Sequence, residues 1–139
     1  MGDCIFCKIV SGEVPSARVY EDDELLAFMD IAPIRPGHTL LIPKAHYERL
    51  TDLPESLAAS IGRVLPRLAR AVVTAAHADG FNIHQTNGRC SGQVVPHVHF
   101  HIIPRHDGDG YSFHWRAGSY GPGEMEAWRE RIRAALGSA

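Results

Sequence analysis

No stretch of this 139-residue chain is apolar for long enough to cross a membrane. Its opening, MGDCIFCKIV, has neither the basic start nor the long apolar centre of a secretion signal, so no leader and no membrane partner are expected. Gly2 alone suggests myristoylation, but Phe6 stands where that signal needs Ser or Thr. Cysteine is scarce. Cys4, Cys7 and Cys90 make an odd number with two of them close together, which argues against a disulfide framework and for a reducing, cytoplasmic setting. A basic excess is missing too: 14 Lys and Arg against 16 Asp and Glu give a net charge of −2, so there is no overall field for a nucleic-acid backbone. A phosphate held locally remains compatible with that balance. Low-complexity segments and strong repeats are also absent. The remaining composition, 45% hydrophobic and 22% charged, is that of one globular domain with a real core.

Along the chain, SARVYEDDELLAFMDI reads as strands Ala17–Tyr20 and Leu25–Met29 around an acidic turn, and RPGHTLLIPK as a strand Thr39–Ile42. From Pro54 to about Ala78 the positions Leu57, Ile61, Leu65, Leu68, Val72 and Ala75 recur at helical spacing. Pro66 lies inside that helix and is expected to kink or divide it. GFNIHQT reads as a strand, NGRCSGQ as a turn-rich loop, and Glu124–Leu136 as a last helix whose alternating charges suit a solvated face. Trp115 and Trp128 are expected to pack. Strands with short links, one long helix and a terminal helix predict an α+β domain with an antiparallel sheet.

PHVHFHIIPR, residues 96–105, places His97, His99 and His101 at alternate positions with Val98, Phe100 and Ile102 between them. Such alternation predicts a strand whose three imidazoles share one face, with Pro104 ending it. Neighbours on that face stand about 6.5–7 Å apart, so one small ion reaches two of the rings and hardly three. A lone histidine is ordinarily a satisfied core or surface residue, but burying three together costs free energy unless each is paired. Imidazole serves equally as nucleophile, base, acid or metal ligand near neutrality. Cys4-x-x-Cys7 has the spacing of half a tetrahedral zinc site, and is also compatible with free thiols or a redox pair.

The run His97-Val98-His99-Phe100-His101-Ile102-Ile103 matches, without a departure, the His-φ-His-φ-His-φ-φ signature of the histidine triad family of nucleotide-binding proteins. CIFCKIVSGEVPS resembles that family's N-terminal segment, LLAFMDIAPIRPGHTLLIPKAH its central segment and NGRCSGQVVPHVHFHIIPR its signature segment, in the right order. The resemblance implies a histidine triad domain over residues 4–108, followed by a tail and helix over 109–139. It implies a hydrolase or transferase that cleaves at the α-phosphate of a purine nucleoside phosphoramidate or (di)nucleoside polyphosphate through a nucleotidyl-histidine. His99 would be the nucleophile, His101 a contact to phosphate or leaving group, His97 an orienting ring and His38 the family's additional active-site histidine. Asp30 falls on the ribose-binding acid and Gln93 on a phosphate contact. Ile5, Phe6, Ile9, Phe28 and Ile31 resemble the apolar clamp around the base, and they could equally be plain core. Thr86 is carried with the nucleotide-binding residues but stands where Asn or Gln is common, and Val94 where several members have Ser or Thr. Some bacterial members complete the cysteine pair with two histidines, which implies one structural zinc per subunit on Cys4, Cys7, His46 and His97. A homodimer that binds AMP or a related adenylate follows from the family alone. The alternatives are a zinc-stabilised nucleotide-binding or scaffold protein with little turnover, and a metal-dependent hydrolase with His97 and His99 as zinc ligands. His77, His84, His106 and His114 match no motif position and are read as surface or satisfied residues, and Cys90 is without a role.

Overall fold

The structure, a computed structural model, describes residues 2–138, and its first element is one the sequence pattern does not announce. Ile5–Ser11 forms a helix, α1, with the Cys4 sulfur accepting from the Cys7 N–H at its start and Gly12 closing it in the left-handed region at φ 83°. Seven residues are too few to display a helical period, so only its two buried side chains, Phe6 and Ile9, hint at it.

Strands β1 (Arg18–Glu21), β2 (Leu25–Met29), β3 (Thr39–Pro43), β4 (Gly80–His84) and β5 (Phe100–Arg105) form one sheet in the order β1-β2-β3-β5-β4, with every pair antiparallel. Between β3 and β4 runs the long helix α2, Glu55–Ala76. Alternation then sorts the side chains. Leu25, Ala27, Leu41, Val98, Phe100 and Ile102 face α2 and pack against Leu57, Ile61, Val64, Leu68 and Val72. Leu26, Phe28, Leu40 and Ile42 face the other way and are covered by Phe6 and Ile9 of α1. Burying a side chain of this size is worth about 1.5–3 kcal/mol, so both layers contribute to holding the sheet.

Two prolines lie inside elements that continue past them, for physical reasons. α2 is not divided at Pro66, because Pro66 lies on the exposed face, where the carbonyl one turn back can bond to water instead. Pro104 does not end the histidine strand either: it pairs in register with Phe81, two residues beyond the last β3 pair, Thr39 with Ile102. A residue without an N–H is tolerated there because one flank of β5 has no ladder. The strand also begins later than the alternation suggests. His97 and His99 precede β5 in a segment that bends at His97, and the Val98 N–H donates to the Tyr47 carbonyl at 2.7 Å instead of to β3. The turn-rich loop contains a short 3₁₀ turn, Arg89–Ser91.

Residues up to Asp109 form one compact unit and those from Gly110 onward a second. The second contains α3, Glu124–Gly137, none of whose described side chains is buried. Trp115 and Trp128, expected to pack, are 86% and 47% exposed. Among the described residues no helix is long and apolar enough to cross a membrane.

Candidate active site and metal centre

The three alternate histidines stay on one face, but each is held differently. His97 is fully buried. Its Nε2 lies 2.8 Å from the Pro43 carbonyl, which only accepts, so Nε2 carries the proton and Nδ1 presents a lone pair on the opposite side of the ring. That lone pair meets Cys4 Sγ at 3.4 Å, Cys7 Sγ at 3.7 Å and His46 Nδ1 at 3.2 Å, while Cys7 Sγ stands 3.4 Å from His46 Nδ1. A tetrahedral ion at ordinary bond lengths of roughly 2.0–2.1 Å to nitrogen and 2.3 Å to sulfur implies ligand separations of about 3.3 Å between nitrogens and about 3.6 Å from nitrogen to sulfur. The four donors fit, and they could hold a metal ion. Half of the set comes from the α1 N-terminus and half from the segments after β3 and before β5. Burial, reinforced by the hydrogen bond and charge of Cys4, holds the Cys7 thiol above its usual value.

His99, 6% exposed, places Nδ1 2.6 Å from the backbone carbonyl of His97. Nδ1 therefore donates, and in the neutral ring the lone pair is on Nε2. Burial pushes the ring below the usual histidine range, partly offset by that same hydrogen bond, so the neutral form prevails at neutral pH. Phe6 stands edge-on to both His97 and His99, with centroids 5.8 and 5.1 Å away.

His101 sits 5.0 Å from His99, ring centre to ring centre, and belongs to a second hydrogen-bonded group. Ile34 N–H donates to His38 Nδ1 at 3.1 Å, so His38 carries its proton on Nε2. That Nε2–H donates to His101 Nδ1 at 2.8 Å, with Asp30 Oδ2 3.5 Å from the same nitrogen. His101 in turn keeps its proton on Nε2. Asp30, His38 and His101 are close enough together to suit a metal ion. Proton placement opposes that use, because the His38 nitrogen in question carries hydrogen. The group is better described as a polar chain that fixes the orientation of His101.

The other sequence candidates are scattered more widely. Phe6, Ile9 and Phe28 form one buried wall, with Phe6 and Phe28 rings 5.6 Å apart. Ile5 is 41% exposed and Ile31 98% exposed, so neither joins that wall in this chain. Gln93 is buried and both ends of its amide are engaged: it accepts from Gly88 N–H at 2.7 Å and donates to the Glu48 carbonyl at 2.8 Å, bracing the loop. Thr86 is half-buried at the loop's start, and Val94 is 90% exposed at its end. Sequence reasoning missed two features. The loop borders a cavity of about 610 Å³ with Arg49 and Arg89 on its wall. His84, read as a bland surface residue, stands directly opposite His101 across the β4–β5 pair. Nothing local in the sequence signals that register.

The HIT domain matches residues 11–108. The chain belongs to the histidine triad family. Protein hit of Bacillus subtilis is 41% identical over 140 residues, covering 99% of this chain and 97% of that one. Adenosine 5′-monophosphoramidase hnt1 of Schizosaccharomyces pombe is 40% identical over 134 residues, 96% and 98% of the two chains. Among solved structures, a Zn-bound histidine triad family protein from Mycobacterium smegmatis superposes with a TM-score of 0.75 at 43% identity, covering 99% of this chain and 95% of that one.

The triad's electrostatics predict an acid limit to stability. Burial, reinforced by His99, His38 and His84, lowers the pKa of His101 to about 4, and His38 is lowered by burial as well. Above the ordinary histidine value of about 6.5 neither folded nor unfolded chain binds these protons, so stability does not depend on them. Below it the unfolded chain takes up protons that the folded one refuses, and stability falls until the pH reaches the folded value. Urea unfolding from pH 7.5 to 4.5 should show this decline, and His101→Gln should make its slope shallower.

Proposed function

We propose that this histidine triad protein hydrolyses a bond at the α-phosphate of a purine nucleotide, with His99 as nucleophile. The observation that carries the reading is the hydrogen bond from His99 Nδ1–H to the His97 carbonyl at 2.6 Å. It leaves a neutral Nε2 lone pair that needs no deprotonation before attack. Attack forms a bond from Nε2 to phosphorus as the bond to the leaving group breaks and its electron pair departs with that group. Water then attacks phosphorus, the P–N bond breaks, AMP leaves and His99 is restored. Over the cycle one water is consumed, with its hydroxyl on phosphorus and its proton on the leaving group. The His101 Nε2–H, oriented by His38 and Asp30, is the donor offered to the phosphate or departing group.

The Schizosaccharomyces pombe relative, a monophosphoramidase, favours a nucleoside phosphoramidate as substrate. Phe6, Ile9 and Phe28 offer an apolar wall for the base, Asp30 an acceptor for the ribose hydroxyls, and the loop from Thr86 to Gln93 backbone groups for the phosphate. Zinc is the metal proposed for Cys4, Cys7, His46 and His97, on the fit of the donor set and the zinc-bound Mycobacterium smegmatis neighbour. Bound there, it would cross-link α1 to the histidine segment and supply no open coordination position. A cytoplasmic homodimer completes the reading. Phe81 and Ile83, 47% and 42% exposed on the face of edge strand β4 away from His84, are side chains a second copy would cover.

The test is intact-mass spectrometry after a brief, acid-quenched mix with adenosine phosphoramidate. A transient adenylyl mass on the wild-type chain and none on His99→Ala is the expected result. AMP bound with neither adduct nor hydrolysis would make the chain a nucleotide-binding protein instead.

A further inference from the structure

We propose that His84 is a specificity-determining residue of this site, contacting the leaving group and favouring substrates whose leaving group departs as an anion. The inference rests on the hydrolase reading above and adds a residue that reading does not use.

Three observations carry it. First, β4 and β5 pair with His84 directly opposite His101, so the two rings share one face, tilted 59° with centroids 5.6 Å apart. Second, accessibility increases along the row. His97 is fully buried, His99 is 6% exposed, His101 is half-buried and His84 is exposed. His97 is already committed to the cysteine cluster and to the Pro43 carbonyl, which closes that end. The buried wall of Phe6 and Phe28 closes the α1 side. A group departing from a phosphorus held at His99 therefore has its exposed route past His101 toward His84. Third, His38 and His99 stand 5.1 and 5.0 Å from His101, ring centre to ring centre, so His84 adjoins a continuous cluster of imidazoles at the reacting end.

An imidazole carries at least one N–H donor in either charge state. Beside a departing oxyanion that donor strengthens as charge develops, whereas an amine leaving as a neutral molecule gains little from it. Nothing in the proposal changes the bonds made and broken: the P–O or P–N bond still breaks with its electrons going to the leaving atom.

The experiment compares kcat/KM of the full chain on adenylyl sulfate, whose leaving group is sulfate, with that on adenosine phosphoramidate, whose leaving group is an amine. The ratio of the two is independent of how much of a preparation is folded. His84→Ala should lower the sulfate-to-amine ratio about tenfold, the loss expected for one hydrogen bond to a charged group. His84→Gln, which restores a donor, should recover most of it. An unchanged ratio in His84→Ala overturns the proposal, whatever the absolute losses, and so does a wild-type chain that cleaves the phosphoramidate but not the sulfate anhydride. Failure of the wild type to cleave either substrate is a separate result, which overturns the hydrolase reading itself.

Discussion

His99→Ala retains AMP binding and loses turnover by roughly three orders of magnitude or more, the scale of removing a nucleophile on which the other groups depend. The asymmetry follows from the geometry. The His99 side chain contributes one nitrogen lone pair, whereas the wall of Phe6 and Phe28 and the braced loop from Gly88 to Gln93 are built from other elements and other hydrogen bonds. Truncation also leaves the His97 carbonyl without its partner in a buried site, which costs about 1–3 kcal/mol of stability. Titration calorimetry with AMP, run beside a hydrolysis assay on the same preparation, separates the two effects. Equal loss of binding and turnover would mean that the site is elsewhere or that the variant is misfolded, and circular dichroism distinguishes those cases.

Cys4→Ser lowers the melting temperature by roughly 10 °C and reduces bound zinc, because losing a metal ligand belongs to the few changes that cost about 3 kcal/mol or more. Cys4 is both a donor 3.4 Å from His97 Nδ1 and the residue whose sulfur accepts the Cys7 N–H at the start of α1. Serine keeps a capping oxygen. The loss therefore reports the metal and not the cap. Chelation of the wild type should reproduce it, with activity declining as the fold weakens instead of stopping at once. Unchanged melting and unchanged metal content in the serine variant would remove the structural-zinc proposal. Immediate loss of activity with the fold intact would favour a metal at the reaction itself.

Periodicity made the long helix and the central strands readable, since α2 and the pair β2–β3 have apolar positions at spacings that belong to one kind of element. It failed where the chain is short or where pairing is non-local. α1 is two turns long, and whether Pro104 ends a strand depends on how far β3 extends beside it. The same division runs through the site. The four metal donors and the three alternate histidines were legible from spacing and family resemblance. The carbonyls that orient His97 and His99 were not, because main-chain acceptors have no letter in the sequence. His84 was hidden for a related reason: its neighbour His101 is seventeen positions away and is brought opposite only by the register of two strands.

That main-chain acceptor has an evolutionary corollary. In the proposed reaction, the choice of which His99 nitrogen attacks is made by an oxygen that no side-chain substitution can delete. Under the proposed roles, drift at Phe6, Asp30, His84 or the loop would explore new bases, sugars and leaving groups, while the identity of the attacking atom would be carried by the peptide chain. Only changes that move the backbone between His97 and His99, such as loss of the fully buried Val98 that seats it against α2, put that choice itself at risk. On that proposal, reaction type and substrate range mutate on separate parts of the molecule.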